Sequence, residues 1–136
     1  MVNARPPRTK EQRRAEVDSL LARGCYGAKT ADIAMAKFLE GNALAERREL
    51  IFAHWDALVA RTAKTLIPFD ELKAMFRAAS CPAAPAEIGL GAEQFTHGVL
   101  AAQLIRNRYT ILDLLDELGL LREAADAVTR RMTAGA

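Results

Sequence analysis

Glycine and proline cut this 136-residue chain into short segments, and within each segment the apolar side chains return every three or four positions. That period belongs to a helix with one face on a core, whereas a half-buried strand alternates every second residue. No run of β-branched residues competes with it. Aromatics make up only 6%, and much of the 51% hydrophobic fraction is alanine, the best helix former. The chain is expected to be all-α, a compact bundle of about six or seven helices with short connections.

Start and stop signals place the helices. Thr9-Lys10-Glu11-Gln12 is a capping-box pattern, and Val17, Leu20 and Leu21 follow on one face until Gly24. AKTADIAMAKFLE comes next, closed by Gly41-Asn42. The longest segment, ALAERRELIFAHWDALVARTAKTL, spaces Leu44, Ile51, Trp55, Leu58 and Leu66 as one continuous amphipathic helix. Pro68 ends it and starts FDELKAMFRAA, because proline is tolerated only in a first turn. Ser80-Cys81-Pro82 stops that helix, and PAAPAEIGLG is the one extended loop. A helix from about Ala92 to Ile105 and a final pair, Thr110 to Leu118 and Leu121 to about Met132, complete the chain. The domain expectation is a disordered basic arm over residues 1–9 and a single helical domain, or a fragment of one, over 10–136.

The formal net charge of +2 is too small to imply nucleic acid or a membrane surface as partner. Arg5, Arg8, Lys10, Arg13 and Arg14 crowd the first residues, but no aromatic residue is interleaved with them, so a solvated terminus is the expectation and nucleic acid is not. Cys25 and Cys81 lack a CxxC partner, which suits reduced, buried thiols. No apolar stretch reaches the ~18 residues of a membrane span, and MVNARPPRTKEQRR has no apolar core behind its charges. A soluble, cytoplasmic protein is expected.

Candidate chemistry is sparse. His54 and His97 lie on different segments, neither with a second histidine nearby, so neither reads as a zinc ligand. Gly89-Leu90-Gly91 lacks the third glycine and the preceding strand of a dinucleotide loop. Ser19, Ser80 and Cys81 stand in no nucleophile motif. Asp113, Asp116 and Glu117 share a helix face by their spacing, and an exposed acidic face is expected of them. No catalytic, cofactor-binding or metal-binding residue is assigned, and no cofactor is expected for this chain alone.

The stretch LIRNRYTILDLLDELGLL is the most informative. Asn107 suits a left-handed helix end, and Thr110 suits an N-cap with Asp113 reaching back to it, so R-N-R-Y-T reads as a corner between helices. The leucines that follow exceed what one stripe needs, which places this helix in the core or against another domain. Arg106, Arg108 and Tyr109 are the candidate junction or cleft residues.

The order LIPFDELKAMFRAASCPAAPAEIGLGAEQF followed by LIRNRYTILDLLDELGLL resembles the carboxyl-terminal end of the sn-glycerol-1-phosphate dehydrogenases, in the iron-containing alcohol dehydrogenase-like superfamily. GCYGAKTADIAMAKFLEGNALAERRELIFAHWDAL is similar to the helical stretch that precedes it there, so the likeness runs from about residue 10 to 123. It implies reduction of dihydroxyacetone phosphate with NADH or NADPH at a zinc or nickel ion held by an aspartate and two histidines. Those ligands belong to parts that precede this stretch, and metal binding is not carried over to His97-Gly98-Val99. The resemblance therefore implies the helical tail of such an enzyme, inactive alone, with a separately encoded nucleotide-binding domain as its partner. The alternative is a helical interaction or dimerisation module, forming a homo-oligomer and without enzymatic activity.

Overall fold

The computed structural model describes residues 5–24 and 26–133, and among them every regular element is helical. The eight α-helices are α1 (Lys10–Leu21), α2 (Thr30–Ala36), α3 (Gly41–Ala53), α4 (Trp55–Thr65), α5 (Phe69–Ala78), α6 (Ala92–Ala102), α7 (Ile111–Glu117) and α8 (Leu121–Thr133). A 3-10 turn, Pro85–Ile88, interrupts the expected loop between α5 and α6 and ends at Gly89 with φ +75°. The all-α expectation holds, with one helix more than foreseen. Cys25 lies outside the described residues, as do residues 1–4 of the arm.

The extra helix arises because the long third segment breaks at His54, whose backbone (φ −111°, ψ 12°) leaves the helix. Its N–H is shared between the Leu50 and Ile51 carbonyls, both at 3.3 Å, and the next turn resumes when Leu58 N–H bonds to the His54 carbonyl at 2.9 Å. The apolar period runs straight across the break, so the sequence pattern does not register it.

Two packed clusters hold the body together. Val17, Ala34 and Leu104 form one, joined by Leu20, Leu21, Ala31 and Met35 from α1 and α2. Leu100, Leu121 and Ala125 form the other between α6 and α8, with Leu112 and Leu115 of α7 against it. On α8 the buried residues Leu121, Ala125 and Thr129 recur every fourth position, and Thr129 Oγ1 meets Thr96 Oγ1 of α6 at 2.7 Å. The leucine excess of the closing segment is thus used in part by the core, through Leu114, Leu118 and Leu121.

Two left-handed residues end helices where stops were expected. Gly119 (φ +76°) lets Leu120 N–H reach the Leu115 carbonyl at 2.7 Å and Gly119 N–H the Asp116 carbonyl at 3.0 Å, a Schellman turn. Ser80 (φ 57°) does the same after α5, with Cys81 N–H on the Phe76 carbonyl at 2.9 Å. That turn carries Cys81 outward, so its thiol is exposed rather than buried as expected.

Asn107 corrects another expectation: it is not among the residues with positive φ. Helix α6 ends earlier, at Ala102 with Gln103 as C-cap, because the chain must leave the helix to sink Leu104 into the first cluster. The connection 105–110 then runs over the surface to Thr110.

The amphipathic stripe of the third segment also fails to find a core. Leu44 is buried, but α4 and α5 bury no residue at all, and Phe52, Trp55, Leu58, Val59, Leu66, Ile67, Leu72, Met75 and Phe76 are exposed. No described helix is long and apolar enough to cross a membrane.

A candidate site at a buried polar nest

The two basic and acidic groups that composition placed in solvent meet each other inside the fold. Asp113, on the first turn of α7, is 3% exposed, and all four of its acceptor positions are taken. Oδ1 accepts from Lys37 Nζ at 2.6 Å and Gln103 Nε2 at 3.1 Å, and Oδ2 accepts from the Thr110 N–H at 2.7 Å and hydroxyl at 2.8 Å. The capping residues expected here are the right ones. Asp113 serves Thr110 as foreseen and, in addition, anchors α2 through Lys37. Burial works against its charge, yet these hydrogen bonds outweigh it and hold the carboxyl below its ordinary range.

One turn on, Asp116 accepts from Arg8 Nη2 at 2.7 Å and lies 3.6 Å from Arg13 Nη2. Glu16 of α1 completes the bridge by pairing with Arg8 and, at 3.2 Å, with Arg13. Arg13 is itself 2% exposed and donates to Gln103 Oε1 at 2.6 Å. Burial opposes the Glu16 charge, but the two guanidiniums prevail and hold it below the ordinary carboxylate range. The same pairing with Asp116 and Glu16 outweighs burial at Arg8 and keeps it protonated.

Glu117 forms the outer edge. Its carboxylate accepts from the Tyr109 hydroxyl at 2.7 Å and lies 3.6 Å from Arg47, while its carbonyl accepts from Arg48 Nε at 2.7 Å. The Arg47 guanidinium stacks over the Tyr109 ring, 5.2 Å from its centroid. Burial and the adjacent carboxylate push the tyrosine hydroxyl well above its usual range.

The acidic face is therefore turned inward, contrary to expectation, because the cations of α1, α2 and α3 and the arm converge on it. The described part of the arm meets the same cluster. From Arg5 to Thr9 the chain has no helix, but Arg5 N–H bonds to the Gly119 carbonyl at 3.2 Å and Arg8 is locked between two carboxylates, so these residues lie against α1 and α7. Ion pairing with the carboxylates is what half-buries Arg8, while Arg5, Pro6, Pro7 and Thr9 stay exposed.

Of the three junction residues read from the sequence, only Tyr109 belongs to the nest. Arg106 and Arg108 are exposed on the corner. His54 is exposed at the α3–α4 break; His97 lies apart on α6, its Nε2 buried without a partner. Sequence reasoning missed Lys37, Arg48 and Gln103, since each is brought in from a distant element with no local signal. Arg13 was legible only as one more charge in a basic run.

Among the described residues no three of His, Cys, Asp and Glu are grouped to hold a metal ion. Comparison with family models, with curated proteins and with solved structures returned no match. Fold and site together define an all-helical protein whose helices are pinned by a buried ion network and which leaves one apolar helical arm bare.

Proposed function

We propose that the chain is a helical interaction unit without chemistry of its own, corresponding to the carboxyl-terminal helical part of the sn-glycerol-1-phosphate dehydrogenases that its sequence resembles. The observation that carries this reading is the uncovered apolar surface of α4 and α5, from Trp55 through Leu58 and Val59 to Leu72 and Phe76. So many exposed large apolar side chains on two successive helices are costly in water and point to a place where another protein packs. A nucleotide-binding, metal-holding domain is the partner that the resemblance supplies. The cytoplasm suits this role, since its thiol pool keeps an exposed cysteine such as Cys81 reduced.

The test is reductase turnover of the purified chain with dihydroxyacetone phosphate, NADH or NADPH, and added zinc or nickel. No turnover above the protein-free blank is expected, and measurable turnover overturns the reading. Self-association through the same surface is the second reading. Light scattering separates them: a concentration-dependent mass favours the homo-oligomer, and a constant monomer mass favours a different partner.

A further inference from the structure

Arg13 lies at the base of the nest, and its Nε has no hydrogen-bond partner among the described residues. A buried guanidinium N–H left unpaired is costly, and where one persists an acceptor is called for. Arg13 also borders two adjoining cavities. The first, of about 40 Å³, is covered by Arg5, Pro6, Pro7 and Arg8 and faces Lys37 and Arg48; the second lies toward Glu16 and Arg122.

The charges around these cavities do not balance. Arg5, Arg8, Arg13, Lys37, Arg48 and Arg122 line them with only Glu16, Asp113, Asp116 and Glu117. Arg48 gives its Nε to a carbonyl and forms no ion pair among the described residues. Lys37 gives two of its three N–H groups, to Asp113 and to the Gln103 carbonyl at 2.7 Å, and keeps one.

We infer that the nest is an anion site for a tetrahedral oxyanion of the phosphate or sulfate class, with Arg48 and Lys37 as its unclaimed donors, the Arg13 guanidinium at its base and residues 5–8 as its cover. By volume the cavity holds roughly two or three waters, the room such an ion fills when it displaces them. This goes beyond the interaction role, since it requires neither a catalytic domain nor a second copy.

Thermal unfolding of the whole chain, with inorganic phosphate replacing chloride at constant ionic strength, tests it. A saturable rise in Tm is expected, reproduced by sulfate and not by acetate. Arg48→Met should weaken the apparent phosphate affinity by about tenfold, the loss of one charge-assisted hydrogen bond, whereas Arg108→Met on the exposed corner should leave it unchanged. Should Arg48→Met not fold, broadening of the phosphorus resonance of inorganic phosphate by the wild-type chain, reversed by excess sulfate, supports the site, and no broadening refutes it. Phenyl phosphate distinguishes the source: binding as tight as inorganic phosphate means a phosphorylated metabolite opens the cover, and markedly weaker binding means the free ion. A Tm that follows ionic strength alone, or wild-type affinity in Arg48→Met, overturns the proposal.

Discussion

Lys37 Nζ donates to the Asp113 carboxylate at 2.6 Å, tying the end of α2 to the first turn of α7 across 76 residues of sequence. Both side chains are largely withdrawn from solvent, so the pair is worth most when considered as a unit: removing one charge leaves the other buried and uncompensated. Asp113→Asn keeps the shape but removes the charge. It is expected to destabilise the fold by about 3–5 kcal/mol in urea unfolding, and a loss under about 1 kcal/mol would show that the pair is dispensable.

Acid should open the same network. Glu16 and Asp113 are held below their ordinary values of 4.5 and 3.8, so the folded state binds protons less readily than the unfolded one. A depressed carboxyl contributes stability above its unfolded pKa and loses it as the pH falls through the folded pKa. Unfolding free energy is therefore expected to hold from pH 7 to about 5 and to decline below about 4.5. In Asp113→Asn that decline should be shallower, and an equal slope in both proteins would exclude Asp113 as a contributor.

What the sequence revealed follows from range. Caps and stops act over three or four residues, so Thr9 with Gln12, Thr110 with Asp113, Gly119 and the Ser80 stop were all legible before any coordinate. The His54 break was not, because the apolar period survives it and no glycine or proline marks it. The nest was illegible for another reason: Arg8, Arg13 and Lys37 on one side and Asp116 and Asp113 on the other each look like ordinary surface charge until tertiary packing desolvates them. Likewise, helical periodicity shows that Trp55 and Leu58 share a face, but not that the face stays bare.

Leu104 is the residue for which α6 gives up its last turn. It is fully buried against Val17 and Ala34, joining the connection after α6 to α1 and α2. Leu104→Ala should cost about 2–5 kcal/mol, the transfer free energy of the lost carbons plus the cavity they leave. Thermal unfolding reads this directly, and an unchanged Tm would mean the cluster closes over the gap.

Arg106 and Arg108 provide the contrast on the same connection. Both are exposed, and neither forms an ion pair among the described residues, so each alanine variant should change stability by no more than about 0.5 kcal/mol. Tyr109→Phe, next in sequence, should cost more, on the order of 1 kcal/mol, because Glu117 loses the hydroxyl that donates to it at 2.7 Å. The ranking of the three variants in one denaturant series decides whether the corner acts through its arginines or through its tyrosine.

The bare face of α4 should respond to charge without a penalty in stability. Leu58 and Val59 are 39% and 49% exposed, so placing lysine at either position removes little packing and should shift unfolding by about 0.5 kcal/mol or less. Association through that face should instead weaken, because a lysine buried at an interface must surrender its hydration. The chain's one tryptophan reports on the same surface: Trp55 is 42% exposed and should emit as a solvated indole when the chain is dilute. A partner that covers α4 will move the emission to shorter wavelength in the wild type, and Leu58→Lys should reverse the shift at the same concentration. If the emission of both proteins is indifferent to every partner and to concentration, α4 is not where this chain is recognised.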